Sequence, residues 1–318
     1  MKNISLPLCC FLFLFFGILV VSPAQRSERE PADFETPPPS KWELKGFEFF
    51  IGAGMYFGSK TTATYYNGAP ENNINLDLLF NNKYYREDVL MLMKEAYPYI
   101  DTIKLRKDYN ENTTYNVAMD ISLFGKYRFN RNWYLELSYS FRRLTASSAF
   151  VFDFPGVPPS NIEKPYSKNY SRNEILAAKE DRHYIDLSVG YIFQKHNIVK
   201  PFLSLGAQFT YIRIKEFLAV IEKKPFDLMG MARNPGYIPG SDPMPNYTDW
   251  AGPGYGFSFS AGLKIVCSPA VSLDPIFQLS VASFGHSANL PNFNKSLCFN
   301  YIVGVRLVVN DVLFLRNK

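Results

Sequence analysis

Positions 117–142 read "VAMDISLFGKYRF", then "NRN", then "WYLELSYSFR". In the first run Val117, Met119, Ile121, Leu123, Tyr127 and Phe129 alternate with Ala118, Asp120, Ser122, Lys126 and Arg128. In the second, Trp133, Leu135, Leu137, Tyr139 and Phe141 alternate with Tyr134, Glu136, Ser138, Ser140 and Arg142. A period of two belongs to a strand whose faces meet different surroundings, and two such runs across a tight break make a hairpin. The same rhythm recurs at 46–58, 184–193, 202–212, 254–267, 271–281 and 299–309. These make about eight strands of ~10 residues, the length a tilted strand needs to cross the hydrocarbon core.

The connections carry a second pattern. Asn130-Arg131-Asn132, Lys195-His196-Asn197 and Ser268-Pro269-Ala270 are tight turns, whereas about 59–115, 146–182, 215–253 and 285–297 are long segments. Long and short connections alternate along the chain. An up-and-down barrel gathers all the short turns at one mouth and all the long loops at the other, as transmembrane barrels do.

Alternation alone does not say which face is wet, because a soluble barrel wears the inverse dressing on the same skeleton. Three features place the apolar face in lipid. The polar face is rich in Gly and Ser, which suit the interior of a narrow eight-stranded barrel. It also carries Glu48, Asp120, Glu136, Asp186 and Asp274 against Lys126, Arg128, Arg142, Lys264 and Arg306, a balanced set that can pair inside. The apolar face has Tyr127, Phe129, Trp133, Phe193 and Tyr301 near strand ends, as an aromatic girdle would. The expected fold is therefore all-β: an eight-stranded antiparallel up-and-down transmembrane β-barrel with long extracellular loops, spanning 46–318.

The ends of the chain agree with export. Lys2 and the apolar run "LPLCCFLFLFFGILVV" precede Ser22-Pro23-Ala24, so 1–24 reads as a secretory signal peptide and 25–45, polar and Pro-rich, as a periplasmic linker. Cys267 and Cys298 remain in the mature chain. They belong at opposite rims of the barrel, so a bond between them is not expected. The net charge of +5 is dispersed among acids, which argues against a nucleic-acid-binding stripe. The expected partners are outer-membrane lipid or lipopolysaccharide, with a protein partner through the extracellular loops.

The first strand "FIGAGMYFG" and the last, "YIVGVRLVV" with Gly304, Leu307 and Val309, resemble those of small outer-membrane β-barrel proteins, including the PorT-like family of Gram-negative envelopes. The continuation "NDVLFLRNK" departs from the usual aromatic ending. The resemblance implies a cell-envelope role more than any activity. The glycines of "GAG" at 52–54 sit mid-strand and face inward rather than forming a phosphate-binding turn. His183, His196 and His286 stand apart from one another, so neither a metal site nor a cofactor is expected. Val89, Leu92, Met93 and Ala96 give 86–100 a helical spacing, read as a short amphipathic helix over the barrel mouth or as a partner-binding helix.

"FGHSANLPN" at 284–292 is similar to the His-x-Ser-Asn motif of outer-membrane lipid A deacylases. His286 and Asn289 match, Ala288 stands at the nucleophile position with Ser287 displaced by one, and Asn300 stands where an orienting acid is expected. A one-residue shift in a strand turns the hydroxyl to the other face. No catalytic residue is therefore assigned. The expectation is a non-enzymatic outer-membrane barrel with a side-chain-filled interior, acting through its loops in structure, adhesion or partner binding. A deacylase-like hydrolase at His286 is the alternative, and a small-molecule channel the third reading.

Overall fold

Eight long strands pair antiparallel in a closed ring: β1 (Gly46–Phe57), β4 (Ala118–Arg128), β5 (Trp133–Pro155), β6 (Asn169–Ile192), β7 (Val199–Ile221), β9 (Ala251–Val266), β10 (Val271–Ser283) and β11 (Cys298–Asn310), which returns to β1. Three short strands, β2 (Lys104–Leu105), β3 (Thr114–Tyr115) and β8 (Lys224–Asp227), edge β5 and β7 outside the ring. The computed structural model describes residues 46–98, 100, 102–106, 112–155, 169–194, 198–236, 238, 250–268, 271–286, 290 and 297–310. The expected signal peptide (1–24) and linker (25–45), the turn at 195–197, Pro269, Ala270 and the continuation at 311–318 lie outside the described residues.

The stagger of the ring follows from the pairing. Gly46 is level with Arg128, then in turn with Tyr134, Gly190, Ser204, Ser260, Gln278 and Ile302, which pairs with Tyr56, ten residues further along β1. Eight strands with that stagger tilt by about 40° and close at a Cα radius of about 8 Å, space that side chains fill.

The faces are dressed as the alternation requires. Phe49, Ile51, Met119, Leu123, Leu137, Leu187, Leu205, Phe257, Phe299 and Leu307 stand exposed on the outer wall, and all ten charged residues expected inside are buried. Aromatic rings pack around the short-turn end, Phe47 on Tyr127 at 4.7 Å and Trp133 on Tyr191 at 5.0 Å between centroids. Here the Asn130 Oδ1 accepts from the backbone N–H of Asn132 and of Trp133, both at 2.9 Å, which fixes the turn. Two inward glycines are notches for rings. A Cβ on Gly190 would lie 2.0 Å from Tyr134 Cζ, and one on Gly262 would lie 2.5 Å from Phe202 Cζ.

The segment 146–182, expected as a long loop, is in large part strand, and 215–253, also expected as a loop, opens with the end of β7 and with β8. β5, β6 and β7 run for 23, 24 and 23 residues, more than twice what the membrane requires. The cause is a change of phase. In β5 the outward residues Leu135, Leu137, Tyr139 and Phe141 are odd-numbered, but beyond Arg142-Arg143 the apolar residues Leu144, Ala146, Phe150, Phe152 and Phe154 are even-numbered and buried. β6 makes the same change between Ile185 and Leu176. β7 makes it after Tyr211, with Ile212 and Ile214 inside, and a bulge at Lys215 then resets the register so that Phe217 and Ala219 also point in. Below the change the outer wall meets lipid; above it that wall meets water and the inner one meets a protein core.

That core belongs to an extramembrane head. The connection between β1 and β4 folds into α1 (Lys60–Ala63), a 3₁₀ turn (Thr64–Asn67), α2 (Asp77–Asn81) and α3 (Lys83–Ala96). Ile74, Leu76, Leu79, Phe80, Val89 and Met93 from this connection pack on the inner faces of the three extended strands. α3 starts at Lys83, three residues earlier than the spacing suggested, because Asn82 is its cap and accepts from Tyr84 N at 2.9 Å through Oδ1. A fourth helix, α4 (Leu228–Arg233), follows β8 and adds Leu228, Met229 and Met231 to the same core.

Candidate functional site

The lumen is occupied by three polar strata, stacked from the short-turn end to the head. In the lowest, Lys126 Nζ lies 3.9 Å from Glu48, 3.8 Å from Glu136 and 3.9 Å from Asp274, and 4.5 Å from the centre of the Tyr134 ring. Lys264 Nζ donates to Glu48 Oε1 at 2.7 Å, Arg128 donates to the same oxygen, and Arg306 Nη1 donates to Glu136 Oε1 at 3.1 Å. Strand pairing dictates this gathering, since Glu48 is level with Lys126 and Lys126 with Glu136. Each charge has an opposite partner at contact distance, the condition under which buried ions are tolerated.

The middle stratum is held by hydrogen bonds. Asp186 accepts from Ser258 Oγ at 2.5 Å, Gln208 Nε2 at 2.8 Å and Gln278 Nε2 at 3.1 Å, while Ser280 Oγ donates to Gln208 Oε1 at 2.5 Å. Asp120 accepts from Arg142 Nε at 2.5 Å, and the Arg142 guanidinium lies 3.7 Å from the centre of the Tyr184 ring.

The uppermost stratum joins barrel to head, and Arg182 is its centre. This fully buried guanidinium donates to Glu180 Oε1 at 2.5 Å, Tyr56 Oη at 3.1 Å, Thr62 Oγ1 at 3.2 Å and Tyr115 Oη at 2.9 Å. The Tyr66 hydroxyl donates to the other oxygen of Glu180, and Tyr56 and Tyr184 share a hydrogen bond of 2.9 Å. One side chain on β6 thus ties β1, α1 and β3 together. Burial, reinforced by the Glu180 charge, pushes the Tyr66 and Tyr115 phenols well above their ordinary range, so both stay neutral at physiological pH. Sequence reading missed Glu180 and Arg182 because it placed them in a loop. Their signal was the two-residue spacing of opposite charges, which puts both on one strand face.

The described part of the His286 region consists of a backbone contact and an exposed ring. The His286 backbone N–H donates to Pro253 O at 2.8 Å, and its ring is exposed beside Tyr255, 5.8 Å between centroids. Asn300 is buried inside and its Oδ1 accepts from Ser59 N at 2.8 Å, so it anchors the start of the helical connection rather than orienting the histidine. Ser287, Ala288 and Asn289 lie outside the described residues, as does His196. His183 faces outward, where its Nδ1 shares a 2.7 Å hydrogen bond with the Tyr139 hydroxyl. The helix suggested at 86–100 is α3, and Val89 and Met93 are spent in the head core.

No family model matches the chain. No curated protein matches it. Among solved structures, it is similar to Neisserial surface protein A, at 10% identity over 83% of this chain and 96% of that one, with a TM-score of 0.37. It is similar to Ail, the attachment invasion locus protein of Yersinia pestis, crystallised with the heparin analogue sucrose octasulfate, at 11% identity over 83% and 99% of the two chains, TM-score 0.33. The outer membrane protein OprG of Pseudomonas aeruginosa matches at 11% identity over 84% and 98%, TM-score 0.34. The assignment as an outer-membrane β-barrel rests on the closed antiparallel ring and its lipid-facing belt, the architecture by which strands cross that membrane.

Proposed function

We propose that this is an exported, PorT-like component of the cell envelope whose barrel is an anchor and whose head is the working part, used in adhesion or partner binding. One observation carries the reading: three strands continue far beyond the membrane and, with the helices after β1, enclose an apolar core of their own. An anchor needs strands of only about 10 residues. The extra length holds a stiff platform away from the lipid, and loops on a stiff scaffold are where binding surfaces are built. The strata below argue against transport, since the side chains of Lys126, Arg142, Arg182, Tyr134 and Tyr184 fill the space that solute would need.

The reading is tested by reconstituting the full chain in planar bilayers and by placing a photo-crosslinking residue at Ile175, on the outer face of the head, or at Ile198, at the short-turn end. No conductance steps are expected, and a discrete crosslinked adduct in native membranes should form from Ile175 alone. Stable open-channel currents, or adducts confined to Ile198, would refute the assignment. Lipid A acylation should be the same in cells carrying His286→Ala as in wild type, and a change would restore the hydrolase reading.

A further inference from the structure

On the outer wall of β5, β6 and β7, the last row that faces lipid is Phe141, His183 and Tyr211, three residues level with one another. The next row up is Arg143, Asp181 and Arg213, and the row above that is Thr145, Lys179 and Glu216, with Lys215 on the bulge. Four cations and two carboxylates therefore begin where the apolar belt ends. The Tyr139 hydroxyl bonded to His183 is an aromatic with a polar tip, the side chain that marks a membrane interface. The row above it sits at head-group depth.

The two carboxylates orient the cations. Asp181, largely buried, accepts from Arg143 Nε at 2.8 Å and lies 3.8 Å from Lys215 Nζ, while Glu216 lies 2.8 Å from Lys179 Nζ. The side chains of Arg143, Lys179 and Lys215 are still 62%, 50% and 40% exposed. Their remaining donors are open to a ligand, and these three cations face two carboxylates, an excess of one positive charge. On the neighbouring strand the level residues are Pro253 opposite Tyr211 and Ala251 opposite Arg213, so the charge does not continue onto β9. Neighbouring strands lie about 4.8 Å apart and alternate residues about 6.8 Å apart, so the cluster covers roughly 10 by 7 Å. That is the footprint of one head group.

We propose that this strip is a binding site for the phosphorylated head group of an outer-leaflet lipid, whose acyl chains lie on the apolar wall directly beneath. Arg143 offers planar donors suited to phosphate oxygens, and Lys179 and Lys215 add point charge above it. The extended strands hold the cations in register, so binding costs less ordering than it would on a loop. The site is independent of what the head recognises.

The test is native mass spectrometry of the full chain in detergent micelles, with bisphosphorylated lipid A and its phosphatase-treated form as probes. Wild type should retain the phosphorylated probe about tenfold better than the dephosphorylated one. Combined Arg143→Gln, Lys179→Gln and Lys215→Gln should erase that preference. Combined Lys60→Gln, Lys104→Gln and Lys224→Gln, which removes equal charge elsewhere on the head, should keep it. Heat-modifiable gel migration shows whether each variant is folded. If the triple strip variant does not fold, Lys215→Gln alone should still reduce the preference severalfold. Equal binding of the two probes by wild type, or equal loss in both triple variants, would overturn the site.

Discussion

Replacing Arg182 with Met tests whether the buried layer under the head is a structural keystone. The side chain is 0% exposed and makes four donations, to Glu180, Tyr56, Thr62 and Tyr115. Methionine fills part of the volume but leaves the Glu180 carboxylate buried, with Tyr66 still donating to it and no neutralising cation in contact. Hydrogen bonds to charged groups are worth about 1.5–3 kcal/mol each, but those of one residue do not add. Removing one partner of a buried ion pair costs about 3–5 kcal/mol, and that is the destabilisation expected here. Adding Glu180→Gln removes the orphaned charge and should recover about half of the loss. Denaturant titration in micelles, following a single-tryptophan variant that keeps Trp250 in the head core, measures both. The cost should appear in the head first, since Arg182 bonds Thr62 of α1 and Tyr115 of β3 to the barrel. A loss below about 1 kcal/mol for Arg182→Met, or a double variant no more stable than the single, would show that the layer is not organised around this pair.

Three further outcomes follow from the barrel wall. Phe259→Arg puts a charge on the lipid face and should cost about 2–4 kcal/mol in micelle or bilayer refolding, with Phe259→Ser costing less. If Phe259→Arg folds like wild type while Ser260→Leu does not, the faces are inverted. Gly190→Ala drives a methyl group into the Tyr134 ring and should cost about 1–3 kcal/mol by the same assay, recovered in part by Tyr134→Phe, since the ring hydroxyl is among the atoms struck. Cys267 and Cys298 are both free thiols, the first exposed and the second buried. A maleimide should label Cys267 in the folded protein and Cys298 only after denaturation, and a disulfide between them in a non-reducing peptide map would contradict the strand order.

How much of this was legible in the chain depends on what alternation reports. A period of two records that the faces of a strand meet different surroundings, so the sequence by itself determined the lipid-crossing strands, the outward place of Phe259 and Leu205, and the inward place of Glu48, Lys126 and Arg306. It determined the alternation of short turns with long connections for the same reason. It did not reveal that β5, β6 and β7 continue. Where a strand leaves lipid for water, the buried face changes from the outer wall to the inner, the apolar parity shifts by one at Arg142-Arg143, and a continuing strand reads as an ended one. The head and the cationic strip beneath it lie past that change. Only the tertiary structure decided the Arg182 layer, because its hydroxyl partners on Tyr56 and Tyr115 are 126 and 67 residues away along the chain. Local pattern fixes which face a side chain occupies; ring closure and stagger decide which distant side chains share the space inside.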